Sequence, residues 1–126
     1  MSQYHVLVVD DNVINLYVAR KQLEVLGHCA TTVSSGYDAI IAFQAISFDI
    51  VFMDCQMPDM DGYETTRHIR SVEEARNQKR VPIVAVTTSD PSSVLAKCFA
   101  AGMDGYLGKP ASLADIQNLI NTVIVS

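Results

Sequence analysis

The sequence has no CxxC spacing, no apolar run long enough to cross a membrane, no basic patch, no internal repeat and no low-complexity segment. Each absence narrows the field. The three cysteines, Cys29, Cys55 and Cys98, are odd in number and far apart, which points to free thiols in a reducing compartment. The start of the chain, MSQYHVLVV, lacks a basic region followed by a long apolar stretch, so no signal peptide is expected. With no membrane-length run, the expectation is a cytoplasmic domain that makes no membrane contact of its own. The basic residues are scattered or lie in EEARNQKR at 73–80, read as a loop, and the formal charge is −5; both argue against direct nucleic-acid binding. What remains is 126 residues, 49% hydrophobic, enough for one domain with one core over 1–126.

Short apolar runs alternate with helical periods. HVLVVD (5–10), HCATTV (28–33), DIVFMD (49–54), PIVAVT (82–87) and DGYLG (104–108) read as strands. Helical character fills 13–26, ending at Gly27; 36–46, with Ala39, Phe43 and Ile46 on one face; and 62–72. A further helix opens with Asp90 as cap and Pro91 in its first turn and closes near Gly102. The last opens with Ser112 and Asp115 spaced as a capping box and carries Leu113, Ile116, Ile120 and Val123 on one face. Five strands alternating with five helices predict an α/β fold, a parallel sheet covered on both faces, because strands without polar alternation need two apolar partners. In such sheets, sites form at the carboxyl ends of the strands.

Those ends carry unusual residues. The first strand runs into Asp10-Asp11, the third into Asp54, the fourth into Thr87-Thr88, and the fifth is followed by Lys109-Pro110. A lone aspartate at a strand end is usually a turn former or helix cap, and Asp59 and Asp61 in PDMDG fit that description. Asp10, Asp11, Asp54, Thr87 and Lys109 converging on one edge do not. Three carboxylates in one crevice repel each other, so cations must compensate or a pKa must rise. Lys109 supplies one charge, and a hard divalent cation such as Mg²⁺ suits the rest. Repulsion also predicts that removing Asp10 or Asp11 stabilises the metal-free chain. His5, His28 and His68 share no ligand spacing and are expected at surface or half-buried positions; Met53, Met57, Met60 and Met103 read as packing or loop residues, and Cys55 as core.

VLVVDDN, DIVFMDCQMPDMDG, PIVAVTT and DGYLGKP, in this order and spacing, resemble the receiver domain of two-component signalling along the whole chain. The resemblance implies a flavodoxin-like sheet of order 2-1-3-4-5. It implies that Asp54 accepts a phosphoryl group from a phosphohistidine, with Mg²⁺ held by Asp11, Asp54 and the backbone carbonyl of Gln56, and by Asp10 through water. Lys109 would pair with a phosphoryl oxygen and the Thr87 hydroxyl with another. Thr87 and Tyr106 match the positions of the family's switch pair, and Pro110 matches its cis-proline. Thr88 is larger than the small residue usual there and, with Gln56 and Ser89, lies where the family tunes dephosphorylation.

DDNVIN and MDCQMPDMDGYETTRHIR resemble receivers of hybrid sensor histidine kinases, which implies a histidine kinase or histidine phosphotransfer domain as partner and a monomer. The first helix carries excess apolar surface: Asn15, Ala19, Leu23 and Leu26 are expected on the sheet, leaving Ile14, Val18 and Val25 as a second stripe. Ile14, Asn15, Val18 and Pro110 are the candidate partner face. Other readings are a stand-alone response regulator, an aspartate-nucleophile phosphatase, a flavin-binding module and a degenerate receiver. The phosphatase is disfavoured because Gln56 stands where its second acid would. The flavin module is disfavoured because DDNVIN is acidic, and the degenerate receiver because no acidic or lysine position is missing.

Overall fold

Five strands and five helices alternate along the chain in the computed structural model, which describes residues 3–88 and 90–124. They are β1 (His5–Val9), α1 (Val13–Val25), β2 (Cys29–Val33), α2 (Gly36–Ala45), β3 (Ile50–Asp54), α3 (Gly62–Ala75), β4 (Ile83–Thr87), α4 (Pro91–Ala101), β5 (Gly105–Gly108) and α5 (Leu113–Val123). The strands form one parallel sheet of order β2-β1-β3-β4-β5, as the resemblance implies.

Consecutive strand residues face opposite sides of a sheet, and the core divides accordingly. Val6, Val8, Ile50, Phe52 and Val84 pack with Leu16 and Leu23 of α1 and Ile116 and Ile120 of α5. Their neighbours Leu7, Val9, Val51, Met53, Ile83 and Ala85 pack with Ala39 and Phe43 of α2, Ile69 of α3 and Cys98 of α4. The parity carries through to the site: Asp54 follows Phe52 toward the α1 and α5 side, while Cys55 follows Met53 into the other core.

Local signals set the helix ends. Asn12, Ser35, Asp61, Asp90 and Ser112 each accept a backbone N–H of the first turn, and Ser112 and Asp115 form a reciprocal capping box. Gly102 ends α4 at φ 103°, a conformation that glycine adopts without a Cβ clash.

Five expectations need correction. The sheet-facing stripe of α1 begins at Leu16, not Asn15: Asn15 is exposed, whereas Leu16 is buried one residue further round the helix. Ile46 has left the α2 face, because it is the C-cap in extended conformation and is exposed. Leu113, the first residue of α5, is exposed rather than part of the buried face. His28 is buried: its Nδ1 accepts the Tyr4 N–H at 3.1 Å and its Nε2 lies 3.2 Å from Gln117 Oε1.

The fifth concerns 73–80, which is not all loop. α3 continues to Ala75, and Glu73 is buried, with one oxygen on Arg70 (2.8 Å) and the other on the Val81 N–H (2.7 Å). Arg70 also reaches the Gly102 carbonyl and Asp104, and Arg80 closes on the same two groups. A polar network therefore fixes this connection, and it does so at the end of the sheet away from the strand carboxyl ends.

Candidate functional site

At the carboxyl edge of the sheet, one oxygen from each of Asp10, Asp11 and Asp54 falls within 4.8 Å of the others. The register explains the meeting. Val9 pairs with Met53, so the residues that follow, Asp10 and Asp54, leave neighbouring central strands at the same level. Asp10 and Asp54 are buried, and Asp11 is exposed. Lys109 enters from the loop after β5, with its N–H held by the Thr87 carbonyl at 3.0 Å. Its Nζ lies 2.6 Å from Asp10 Oδ2 and 3.7 Å from Asp54 Oδ1.

The three aspartates differ electrostatically. Asp10 is satisfied twice, by Lys109 on Oδ2 and by the Asn12 N–H on Oδ1 at 2.9 Å. Asp54 accepts the Gln56 N–H at 3.2 Å and has Lys109 at longer range. Burial pushes its carboxyl from the ordinary 3.8 up to about 6; the Gln56 N–H and Lys109 pull it down, and Asp10 and Asp11 push it up further. Three carboxylates facing one ammonium leave the crevice short of positive charge. This hard-oxygen set, partly open to solvent through Asp11, fits a hard divalent cation.

The other predicted residues fall around this cluster. Thr87 is buried at the end of β4, opposite Gly108 in the register, and Thr88 is exposed. Tyr106 is half-buried against the core on the α2–α4 side. The Lys109–Pro110 peptide is cis. Asp61 caps α3 through the Glu64 N–H at 2.9 Å, and Asp59 adopts φ 67° in the loop, so both shape the backbone. Cys55 lies behind the site, and burial pushes its thiol up to about 12, which makes it unreactive as a nucleophile. Met53, Met60 and Met103 are buried packing residues. Ser89 lies outside the described residues.

Ile14 and Val18 are 69% and 47% exposed, and Val13 and Tyr17 extend the same apolar face of α1. Asn15, Val18 and Pro110 line a groove of about 490 Å³ that reaches Asp10 and Lys109.

Three contributors escaped the sequence reading. Asn12 caps α1 and also donates to Asp10; its place before the helix was the available signal. Gly62 brings α3 against the end of β3, where any Cβ would overlap the Asp54 carbonyl; the Asp-Gly step after the loop hinted at it. Gln22 donates to the Ala111 carbonyl at 2.7 Å across 89 positions, and nothing local announces that contact.

Comparison with known proteins bears on this geometry. Residues 6–121 match the family described as response regulator receiver domain. Hybrid signal transduction histidine kinase L of Dictyostelium discoideum is 42% identical over 118 residues, covering 91% of this chain and 7% of that protein. The chain spans only 7–15% of the length of three curated relatives it matches. Among solved structures, the receiver domain of sensor histidine kinase PA1611 from Pseudomonas aeruginosa, with a magnesium ion coordinated in its active site cleft, is similar at TM-score 0.84 and 36% identity. That alignment covers 96% of this chain and 97% of the other. A co-crystal of the Saccharomyces cerevisiae histidine phosphotransfer protein Ypd1 and the receiver domain of the response regulator Ssk1 is similar at TM-score 0.87 and 29% identity, covering 94% and 86%.

Proposed function

The chain belongs to the response regulator receiver domain family, and on that premise we propose that residues 1–126 form one phospho-accepting domain of a phosphorelay, with Asp54 as acceptor and Mg²⁺ as cofactor. The observation that carries this is the convergence of Asp10, Asp11 and Asp54 within 4.8 Å, with the ammonium of Lys109 among them. Phosphoryl transfer asks chiefly for in-line positioning and neutralised charge. Asp54 stands at the end of a fully buried central strand, placed to act as a nucleophile.

Asp11, Asp54 and the Gln56 carbonyl would hold the metal, with Asp10 acting through water; when bound, Mg²⁺ supplies charge neutralisation at the phosphoryl oxygens. The chain's own groups do the rest. A carboxylate oxygen of Asp54 attacks phosphorus, the P–N bond of the donor phosphohistidine breaks, and the imidazole leaves with that electron pair. The product is an acyl phosphate on Asp54. Lys109 exchanges Asp10 for a phosphoryl oxygen as a point charge. The Thr87 hydroxyl takes another, and Tyr106 follows it to report the change.

The domain catalyses only its own phosphorylation and dephosphorylation. Its partner is a histidine kinase or histidine phosphotransfer domain docking on Ile14, Asn15, Val18 and Pro110. It belongs to the cytoplasmic part of a hybrid sensor kinase. The likeness to hybrid kinases and to the phosphotransfer co-crystal supports this reading. None of the described helices is long and apolar enough to cross a membrane.

Incubation with Mg²⁺ and acetyl phosphate, followed by intact mass and site mapping, tests the assignment. One phosphoryl group on wild type and none on Asp54→Asn is expected. A label on another aspartate overturns it.

A further inference from the structure

Gln22 stands on α1, one helical turn beyond Val18 and one residue before Leu23, which is buried against the sheet. Its half-buried side chain crosses the groove between α1 and the lysine loop and donates Nε2–H to the Ala111 carbonyl at 2.7 Å. Ala111 is two residues past Lys109. Among the described residues, no other hydrogen bond joins α1 to residues 109–111. The loop is therefore pinned at two points: the Lys109 N–H on Thr87 at the sheet, and the Ala111 carbonyl on Gln22 at α1. Pro110 between them has no N–H to offer. Lys109 projects from between the pins and reaches the carboxylates with only 22% of its side chain exposed.

We propose that Gln22 is a positioning residue for Lys109: its hydrogen bond to Ala111 sets the lysine loop against α1, and so couples occupancy of the α1 face to the placement of the ammonium beside Asp54. Gln22 touches neither the phosphoryl group nor Asp54 and acts only through the loop. A displacement of about 1 Å in a catalytic group is enough to cost up to about a hundredfold in rate, so a single tether at this place matters. Val18, one turn earlier on the same helix, lines the same groove, and a partner bearing on it bears on the tether. This rests on the acceptor assignment to Asp54 and the charge role of Lys109 proposed above.

The test compares wild type with Gln22→Met, which keeps length and apolar packing but cannot donate, and with Gln22→Lys, which restores a donor. Gln22→Glu, of the same shape and unable to donate when ionised, is the second disruptive variant should Gln22→Met fail to fold. Each is labelled with acetyl phosphate and Mg²⁺ over a range of donor concentrations, alone and in a Lys109→Gln background. The disruptive variants should lower the labelling rate at saturating donor by about three- to tenfold, the worth of one hydrogen bond, with the half-saturating concentration unchanged. Gln22→Lys should recover most of the rate, and the effect should vanish in Lys109→Gln. An unchanged rate, or an equal loss with and without Lys109, overturns the proposal. A wild type that takes no label on Asp54 removes the acceptor assignment and this inference with it; a wild type that labels normally beside unaffected Gln22 variants removes this inference alone.

Discussion

Replacing Asp54 by asparagine should stabilise the metal-free protein at neutral pH, and the gain should vanish on acidification. In the folded chain, burial holds this carboxyl near 6 against an ordinary 3.8. Between those values the native state keeps a proton that the unfolded chain has lost, so stability falls as pH rises through the window, and the whole penalty stands above it. Below about pH 4 both states are protonated and the group contributes nothing. A rise of about two units at about 1.4 kcal/mol each gives about 3 kcal/mol. Because the crevice opens to solvent at Asp11, screening trims this, and about 2–3 kcal/mol is the expected difference at pH 7.5. For a domain of this size that is roughly 8–11 °C in Tm. The assay is a set of melts of both proteins in EDTA from pH 5 to 8, read as the difference between them, which cancels the other acids. Mg²⁺ at pH 7.5 should then raise the melting temperature of wild type more than that of the variant. A flat difference across pH 5 to 7.5, or an asparagine variant less stable at pH 7.5, would refute the reasoning.

The parts of this site that are legible in the sequence are those where one residue type has few other uses. Aspartates ending apolar strands, and a lysine before proline after the last strand, stand out because burial makes them costly without a partner. The sheet order follows from the same runs through the βαβ rule, with the resemblance to receivers selecting among the permitted orders. What stays hidden is set by phase and by long-range geometry. Periodicity could not separate Asn15 from Leu16 as the first sheet contact of α1, because the two lie about 100° apart on a broad apolar arc. It could not show that Asp10 rather than Asp54 holds Lys109 most closely, since 2.6 Å against 3.7 Å is decided by loop placement. Glu73 fell in a stretch read as loop because one group that satisfies it, the Val81 N–H, becomes its neighbour only after the chain turns back into β4.

That pairing separates Asp10 from Asp11. Asp11→Ala should leave metal-free stability unchanged or slightly raised and weaken Mg²⁺ binding at least about tenfold, while Asp10→Ala, which strips Lys109 of its nearest partner, should lower metal-free stability by about 1–3 kcal/mol; melts in EDTA and Mg²⁺ titration check both, and an Asp10→Ala protein more stable than wild type would restore simple repulsion as the dominant effect. Ile14→Asp and Val18→Asp should slow phosphotransfer from a phosphorylated histidine phosphotransfer domain at least about tenfold more than they slow labelling by acetyl phosphate; equal effects on both donors would remove α1 as the docking face. The network at the opposite end of the sheet should matter for stability alone. Glu73→Ala takes one of two carboxylates from the guanidinium of Arg70, only 14% exposed, leaving it Asp104, and leaves the Val81 N–H without its acceptor. Breaking a buried pair from one side costs about 3–5 kcal/mol, and with Asp104 still facing Arg70 the loss belongs at the low end, about 3 kcal/mol. Lys21 and Glu24, 3.6 Å apart with about half of each side chain in solvent, are the internal control, since losing an exposed pair costs less than about 1 kcal/mol. Urea melts of Glu73→Ala and Glu24→Ala should therefore differ by at least about 2 kcal/mol, with acetyl phosphate labelling of both remaining at the wild-type rate because neither lies near the strand carboxyl ends; equal losses would mean that the Arg70 network contributes no more than a surface ion pair.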